Sequence, residues 1–180
     1  GSGGLTRLLA NPVVGGGQVF ALDSEGRVSA LDAQSGSRQW QVQVTPEDEE
    51  RGALGGGIAL ASGVLFIGTA FGEVIALDAR SGAQFWRQSI GVPLPAAPSI
   101  DDGRVFVVTY DNQLFALDAG SGDVLWSYVG IAETAGLIGA GSAAVEGGLV
   151  VAPFSSGELV ALRVENGNVA WSDSLVRTGR

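Results

Sequence analysis

The sequence lacks three residue types on which much protein chemistry depends: it has no cysteine, no histidine and no methionine. Without cysteine there is neither a disulfide framework nor a thiol nucleophile. Without histidine the commonest general base and zinc ligand is missing, and Ser-His-Asp and Cys-His nucleophiles are excluded. We therefore predict no catalytic residue, no metal site and no bound cofactor.

Positive charge is also scarce. All ten cations are arginine, and the 19 carboxylates give a net charge of −9. Such an acidic surface repels phosphates, so nucleic acid is not an expected partner. The most apolar long stretch, residues 135–154, contains Glu146 and several glycines, which indicates strands and turns rather than a membrane span. Residues 1–10 show no charged and apolar export pattern, and we interpret them as a leader or cloning remnant.

What the sequence does contain is a repeat. The segments ALDAQSGSRQW (30–40), ALDARSGAQFW (76–86) and ALDAGSGDVLW (116–126) are near copies, and ALRVENGNVAW (161–171) is a degraded fourth copy. The four tryptophans are 46, 40 and 45 residues apart, which is the period of four-stranded propeller blades. Short runs of β-branched and aromatic residues between glycine turns surround each copy. We predict an all-β fold, a β-propeller with four antiparallel blades at about 11–44, 57–90, 96–129 and 142–175.

Each conserved position of the repeat has a predicted structural role. The aspartate is predicted to accept hydrogen bonds from the following turn, the glycine to adopt a positive φ, and the tryptophan to fill the wedge between blades. In the fourth copy Arg163 replaces the aspartate. The residues with these roles are Asp32, Gly36, Trp40, Asp78, Gly82, Trp86, Asp118, Gly122, Trp126, Gly167 and Trp171.

Two other kinds of stretch could suggest a phosphate-binding or a calcium-binding loop, but we interpret both as structural. The glycine triplets at 15–17 and 55–57 are not followed by Lys-Ser/Thr or by a helix, so we interpret them as turns rather than phosphate loops. The acidic run at 46–50 lacks the alternating ligands of a calcium loop, and we interpret it as a solvated loop between blades.

The unit G-x-V-x-A-L-D-x-x-S-G-x-x-x-W is similar to the repeat of the pyrroloquinoline-quinone-type propellers, over essentially the whole chain. That family includes quinone-dependent alcohol dehydrogenases and the non-catalytic BamB-type lipoproteins, and the order of features most resembles the N-terminal half of the latter. This resemblance implies a scaffold in the periplasm, peripheral to the outer membrane, within the complex that assembles outer-membrane β-barrels. The dehydrogenase resemblance would imply a quinone, a calcium ion and an aspartate base. It would often imply a vicinal cysteine pair as well, and this chain has no cysteine.

The BamB-type resemblance also implies a contact site. In that family the link between the third and fourth blades binds the barrel-forming outer-membrane subunit through apolar and arginine residues. Here that link, at 130–142, offers Leu137 and Ile138 between two glycines, but it has no arginine. Two adjacent branched side chains on such a loop either meet a partner or fold back over the blades, and both alternatives stay open.

The resemblance further implies an eight-bladed ring, of which four blades are half. Three arrangements are open: the remaining half of the propeller completes the ring, a second copy of this chain closes a 4+4 ring, or four blades close on themselves. The first two are favoured. Two other functions are kept as alternatives, a quinone-dependent dehydrogenase and a structural or ligand-binding propeller without an assembly role.

Overall fold

The computed structural model describes residues 10–45, 56–131 and 141–174. Within these ranges the chain forms sixteen strands and no helix. Blade 1 contains β1 (Val13–Gly15), β2 (Gln18–Leu22), β3 (Arg27–Asp32) and β4 (Arg38–Gln43). Blade 2 contains β5 (Gly56–Ala61), β6 (Val64–Thr69), β7 (Glu73–Asp78) and β8 (Gln84–Ser89). Blade 3 contains β9 (Ser99–Asp101), β10 (Arg104–Val108), β11 (Gln113–Asp118) and β12 (Val124–Val129). Blade 4 contains β13 (Ala144–Glu146), β14 (Leu149–Pro153), β15 (Glu158–Arg163) and β16 (Val169–Ser174).

Each blade is an antiparallel meander in which the strands pair in chain order. The prediction of an all-β propeller with four-stranded blades is confirmed. Because successive strands reverse direction, the connections divide between two faces of the molecule. The link face carries the hairpins between the second and third strands of each blade and the links from one blade to the next. The turn face carries the repeated aspartate turns, at 32–37, 78–83, 118–123 and 163–168.

Three apolar cores lie between neighbouring blades, and they account for most of the buried side chains. Between blades 2 and 3, for example, Phe66, Val74 and Ala76 pack against Val105 and Leu117, all 3% exposed or less. The alternation of side chains along each strand supplies one apolar strip to the preceding blade and one to the following blade. Blades 1 and 2, and blades 3 and 4, pack in the same way.

The repeated aspartate closes its own turn. In blade 2 the Oδ1 atom of Asp78 accepts hydrogen bonds from the backbone N–H of Arg80 at 2.9 Å and from that of Ser81 at 2.7 Å. These bonds favour the ionised carboxylate, and the Ser81 amide is the main cause of a lowered pKa at Asp78. The equivalent serine amides lower the pKa of Asp32 and of Asp118. In blade 4, where Arg163 takes this place, Asn166 accepts from the backbone of Asn168 instead, at 3.0 Å.

A β-bulge precedes every tryptophan. In blade 2, Ala76 pairs with Trp86 while Leu77 pairs with Gln84, so that Phe85 is an extra residue on the outer strand. The same shift of register occurs once in each of the other described blades. Because the extra residue is unpaired, Phe85 is 57% exposed, whereas Trp86 faces the next blade.

The tryptophans join neighbouring blades at the turn face. The indole Nε1 of Trp40 donates to the backbone carbonyl of Ala79 in the next blade at 3.1 Å, Trp86 donates to Ala119 at 3.0 Å, and Trp126 donates to Val164 at 2.9 Å. Each ring lies on the glycine of the turn that it reaches. A Cβ atom added at Gly82, Gly122 or Gly167 would lie 2.6–2.8 Å from a ring carbon. We call this contact the indole–turn junction.

The junction is not formed between blade 4 and blade 1 within the described residues. Trp171 is 45% exposed, and its indole makes no such hydrogen bond there. At the other end of the array, a Cβ atom at Gly36 would meet nothing within 4 Å. The described blades therefore form an open array with one unfilled half-junction at each end.

The indole–turn junction makes Trp86 a stabilising residue. We expect Trp86→Ala to lower the free energy of unfolding by about 3 kcal/mol, because it removes a packed ring and leaves the Ala119 carbonyl without its donor. Urea denaturation followed by circular dichroism measures the change. Phe85→Ala is the matched control, since the neighbouring ring is exposed, and it should alter the free energy by less than about 0.5 kcal/mol. Equal effects of the two substitutions would contradict this role.

The aspartate turns give the protein an acid sensitivity of known sign. Because the folded pKa values of Asp32, Asp78 and Asp118 are lowered, their stabilisation is present above the unfolded pKa and is lost as the pH falls through the folded pKa. We expect a triple Asp→Asn variant, whose amide oxygens still accept the turn hydrogen bonds, to lose less stability than the wild type between about pH 5 and pH 2. Acid titration followed by circular dichroism tests this.

Asp102→Asn is the control for this experiment, because it removes a negative charge from a side chain that is 88% exposed and accepts no backbone hydrogen bond in the described structure. A triple variant whose acid unfolding follows that of the wild type would contradict the assignment of the acid sensitivity to these turns.

Candidate partner-binding face

The link face has a common construction in blades 1, 2 and 3. The first residue or two after the outer strand donate a backbone hydrogen bond to the carbonyl at the last position of the hairpin in the same blade. Val44 bonds to Gly26 at 2.8 Å, Ile90 to Gly72 at 2.7 Å, and Gly130 to Asn112 at 2.8 Å. Each link to the next blade therefore starts from a fixed point on this face.

The link between blades 2 and 3 is occupied by internal packing. Leu94 is fully buried, and its backbone N–H donates to the carbonyl of Thr69 in blade 2 at 3.1 Å. The carbonyl of Pro93 accepts from Tyr110 in blade 3 at 3.1 Å. This link packs between the two hairpins through Leu94.

The boundary between blades 3 and 4 is organised by Asn112. Its position in the hairpin is held by glycine in the other three blades, and Asn112 adopts the same positive φ, at 62°. The side chain is almost fully buried. Its Nδ2 donates to the carbonyl of Ile131 at 3.1 Å, while its Oδ1 accepts from the backbone N–H and the hydroxyl of Ser155 in blade 4, at 2.9 and 2.8 Å. Asn112 thus ties the start of the link to both blades.

Aromatic side chains also pack across the boundary between blades 3 and 4. The rings of Tyr128 and Phe154 stack across the two blades with centroids 6.1 Å apart and planes 7° from parallel. Gly130 lies against the Phe154 ring and has no room for a side chain, since a Cβ atom there would lie 2.7 Å from that ring. Burial raises the pKa of the Tyr128 hydroxyl, with a further contribution from the charge of Glu158.

Three apolar side chains are exposed at the link-face end of blade 3 and at the start of the following link. Tyr110 is 41% exposed in the hairpin of blade 3, Val129 is 65% exposed at the end of its outer strand, and Ile131 is 63% exposed at the start of the link. We call these three residues the boundary patch. The backbone beside Ile131 is held by Asn112, which bonds to the Ile131 carbonyl and accepts from the Gly130 N–H.

The site residues predicted from the sequence do not lie in the boundary patch. Leu137 and Ile138, and the acidic run at 46–50, fall outside the described residues. The eleven repeat residues lie at the turn face or on the adjoining part of the outer strands. Sequence reasoning missed Asn112, for which one signal was present: it is the single non-glycine at the hairpin position held by Gly26, Gly72 and Gly157 in the other blades.

A cleft of about 710 Å³ lies where the inner strands of all four blades begin, and it is the described part of the propeller axis. The resemblance to the quinone-dependent dehydrogenases would imply a quinone and a calcium ion at this place. The described residues that line the cleft are mainly alanine, glycine, proline and valine, and their polar side chains are Asn11 and Ser142. Calcium requires six to eight oxygen ligands that include carboxylates, so this donor set does not fit a calcium-bound quinone.

The described ranges also contain no group of three or more histidine, cysteine, aspartate or glutamate side chains placed to hold a metal ion. In the same ranges no helix is long and apolar enough to cross a membrane.

Comparison with known proteins places this geometry in a family. The sequence profile described as "Outer membrane protein assembly factor BamB" matches residues 4–53 and 24–180. The chain belongs to the BamB family. A BamB of Nitrosomonas eutropha is 32% identical over 164 residues, and one of Shewanella oneidensis is 33% identical over 171 residues. Each alignment covers 91% of this chain but only 38% and 43% of the relative, so the chain spans about two fifths of the length of these BamB proteins.

Solved structures agree with the family assignment. The crystal structure of BamB from Moraxella catarrhalis superposes on 97% of this chain with a TM-score of 0.83 and 26% identity, and the match covers 52% of that BamB chain. A quinohemoprotein alcohol dehydrogenase from Comamonas testosteroni superposes with a TM-score of 0.72 at 20% identity. At that identity the dehydrogenase shares the fold alone, because propellers of one architecture carry unrelated functions.

The role of Asn112 leads to a testable expectation. Asn112→Gly keeps the positive φ that the hairpin requires but leaves the Ile131 carbonyl and the Ser155 amide without a partner. We expect the free energy of unfolding to fall by about 1–3 kcal/mol and the Ser155 amide to exchange its hydrogen faster. Hydrogen exchange with mass spectrometry measures the second effect. Asn166→Gly, at an exposed turn of the opposite face, is the control and should leave Ser155 unchanged.

Proposed function

We propose that this chain is a non-enzymatic scaffold in the assembly of outer-membrane β-barrel proteins, acting in the periplasm at the periphery of the outer membrane. Membership of the BamB family supports this function, because the relatives named above are described as outer membrane protein assembly factors. The residues that line the axial cleft also support this function. Its wall of small side chains offers neither a general base nor the ligands of a calcium ion.

The surface that we assign to this function is the boundary patch together with Leu137 and Ile138. The observation that carries the assignment is the exposure of Tyr110, Val129 and Ile131 over a base held by buried Asn112. A rigid base lowers the ordering cost of binding, because the contacting side chains are already positioned. The chain continues from Ile131 directly into the segment that carries Leu137 and Ile138, so one partner surface can contact both sets.

The partner that fits this surface is the set of periplasmic domains of the barrel-forming subunit. Apolar side chains on a fixed backbone gain free energy when they are removed from water, by about 25 cal/mol for each Å² buried. The chain also carries a net charge of −9, which would speed association with a partner that presents a basic rim.

A binding titration against these periplasmic domains tests the proposal. We expect Ile131→Asp, Val129→Asp, Leu137→Asp and Ile138→Asp each to weaken binding more than tenfold, which corresponds to about 1.4 kcal/mol. A charge placed in the apolar centre of an interface must be desolvated without a partner. Isothermal titration calorimetry, with circular dichroism to confirm the fold of each variant, provides the measurement.

Val124→Asp is the matched control for Val129→Asp, because both valines lie on β12 and are exposed, 44% and 65% respectively, but Val124 lies toward the turn face. It should leave affinity within about twofold of the wild type. Failure of the folded wild-type chain to bind would refute the proposed function. Equal weakening by Val124→Asp and Val129→Asp would refute the assigned surface.

A further inference from the structure

Blade 2 contains an arginine that its own chain binds at the link face. The Nη1 atom of Arg87 lies 2.7 Å from Oε2 of Glu73, and its Nη2 atom donates to the backbone carbonyl of Val44 in blade 1 at 3.2 Å. One guanidinium group is therefore held by a carboxylate of its own blade and by the first carbonyl after the outer strand of the preceding blade. We call this arrangement the arginine site of blade 2.

The boundary between blades 3 and 4 has the carboxylate of such a site without the arginine. Glu158 begins the third strand of blade 4, as Glu73 begins the third strand of blade 2. The register of the strands places Ser172 where blade 2 has Arg87, directly after the tryptophan of the outer strand. Serine is too short and carries no charge, so blade 4 cannot supply the missing guanidinium group from this position.

The second acceptor of the site is also present at this boundary. Gly130 is the first residue after the outer strand of blade 3, as Val44 is in blade 1, and both donate their N–H to the end of the hairpin in their own blade. The Val44 carbonyl accepts from Arg87, whereas the Gly130 carbonyl accepts no hydrogen bond within the described residues. Gly130 lies in the chain between Val129 and Ile131, two members of the boundary patch.

The carboxylate of Glu158 has no partner in the described part of the chain. Its Oε2 atom is buried and accepts no hydrogen bond, and no described arginine lies within ion-pair distance of it. Its charge contributes to the raised pKa of the Tyr128 hydroxyl, which shows that the carboxylate lies near that ring at the blade boundary. An unpaired carboxylate that is partly removed from water is costly, and a cation brought by a partner would offset that cost.

The charges around this boundary favour a basic ligand. Residues 96–131 and 141–174, which form blades 3 and 4, contain two cations, Arg104 and Arg163, and both lie at the turn face. At the link face the same two blades carry the carboxylates of Asp111, in the hairpin of blade 3, and of Glu158. A cation that approaches the boundary patch therefore meets carboxylates and no like charge among the described residues.

We infer that the boundary of blades 3 and 4 binds an arginine side chain of a partner protein. Glu158 and the Gly130 carbonyl hold its guanidinium group, and an apolar residue of the same partner segment lies on the boundary patch. The inference rests on the proposed function for the identity of the partner, the barrel-forming subunit, and on the arginine site of blade 2 for the chemistry. Arginine fits better than lysine, because its planar group donates to two separate acceptors at once, as Arg87 does.

Calorimetric titration against the periplasmic domains of the barrel-forming subunit is the first test. Glu158→Gln should weaken binding at least tenfold, because it removes the charge and keeps the shape of the side chain. Ser172→Arg should weaken binding by a similar factor for a different reason: it supplies from within the chain the arginine that blade 2 has, and so fills the site. Circular dichroism confirms that each variant is folded. Domains that bind the wild type and Glu158→Gln equally well would overturn the inference and leave the proposed function standing.

Two controls separate the site from general effects of charge. Ser127 follows the tryptophan of blade 3 and is exposed like Ser172, but Gln113 stands there at the position of the carboxylate. Ser127→Arg should therefore leave the affinity within about twofold of the wild type. Arg177 follows blade 4 in the sequence, and Arg177→Gln should also leave the affinity unchanged. A gain in affinity with Arg177→Gln would show that this chain fills the site with its own arginine, and would overturn the inference.

A short peptide tests the site separately from the proposed function. The probe is acetyl-Leu-Arg-Leu-amide, which carries one guanidinium group between two apolar side chains, and the amide resonances of Gly130 and Ile131 report its binding by NMR. We expect these resonances to shift saturably with the arginine peptide, less with lysine at the centre, and least with glutamine. In Glu158→Gln the difference between the arginine and glutamine peptides should disappear.

The two measurements distinguish the possible failures. Binding of the arginine peptide through Glu158, without binding of the periplasmic domains, would refute the proposed function and support the site. Equal effects of the arginine and glutamine peptides on the wild type would overturn the inference.

Discussion

The indole of one blade resting on the glycine turn of the next is the contact on which the rest of this structure depends. It joins blades that share no strand pairing, and it requires three features at once. The indole needs a carbonyl at hydrogen-bond distance, the turn needs a residue without a side chain under the ring, and an aspartate or asparagine must hold the turn in shape. These requirements explain why aspartate, glycine and tryptophan recur together in the sequence.

The same contact divides the molecule into two faces with different constraints. On the turn face each residue of the repeat is committed to closing a turn or joining two blades. On the link face the hydrogen bond at the end of the hairpin recurs in blades 1 to 3, whereas the links differ in length and chemistry. At the boundary of blades 3 and 4, Asn112 replaces a glycine and adds side-chain hydrogen bonds that fix the start of the link.

The inner and outer parts of the propeller differ in a way that bears on function. The axial cleft is lined by small side chains, whereas most of the exposed large apolar side chains, Val14 on β1 excepted, lie on hairpins, links and outer strands. The proposed function places contact with other proteins at the periphery, in line with the family to which the chain belongs.

Sequence alone was sufficient for whatever depends on near neighbours in the chain. The strands follow from alternating apolar residues between glycine turns, and each aspartate turn is closed by groups two or three residues away, such as Asp78 and Ser81. Tertiary structure alone decided the rest. The acceptor of each indole lies 33 to 39 residues further along the chain, and the bulge that exposes Phe85 is visible only in the pairing of two strands.

The candidate site shows the same division. The sequence marked Asn112 as an exception at a glycine position, but its partners Ile131 and Ser155 lie 19 and 43 residues away and meet it only because two blades pack together. The roles of Leu137 and Ile138 remain predictions from the resemblance to the family. A local pattern specifies strands and turns because their hydrogen bonds are local, whereas a binding surface is assembled from residues that only the packing of the blades brings together.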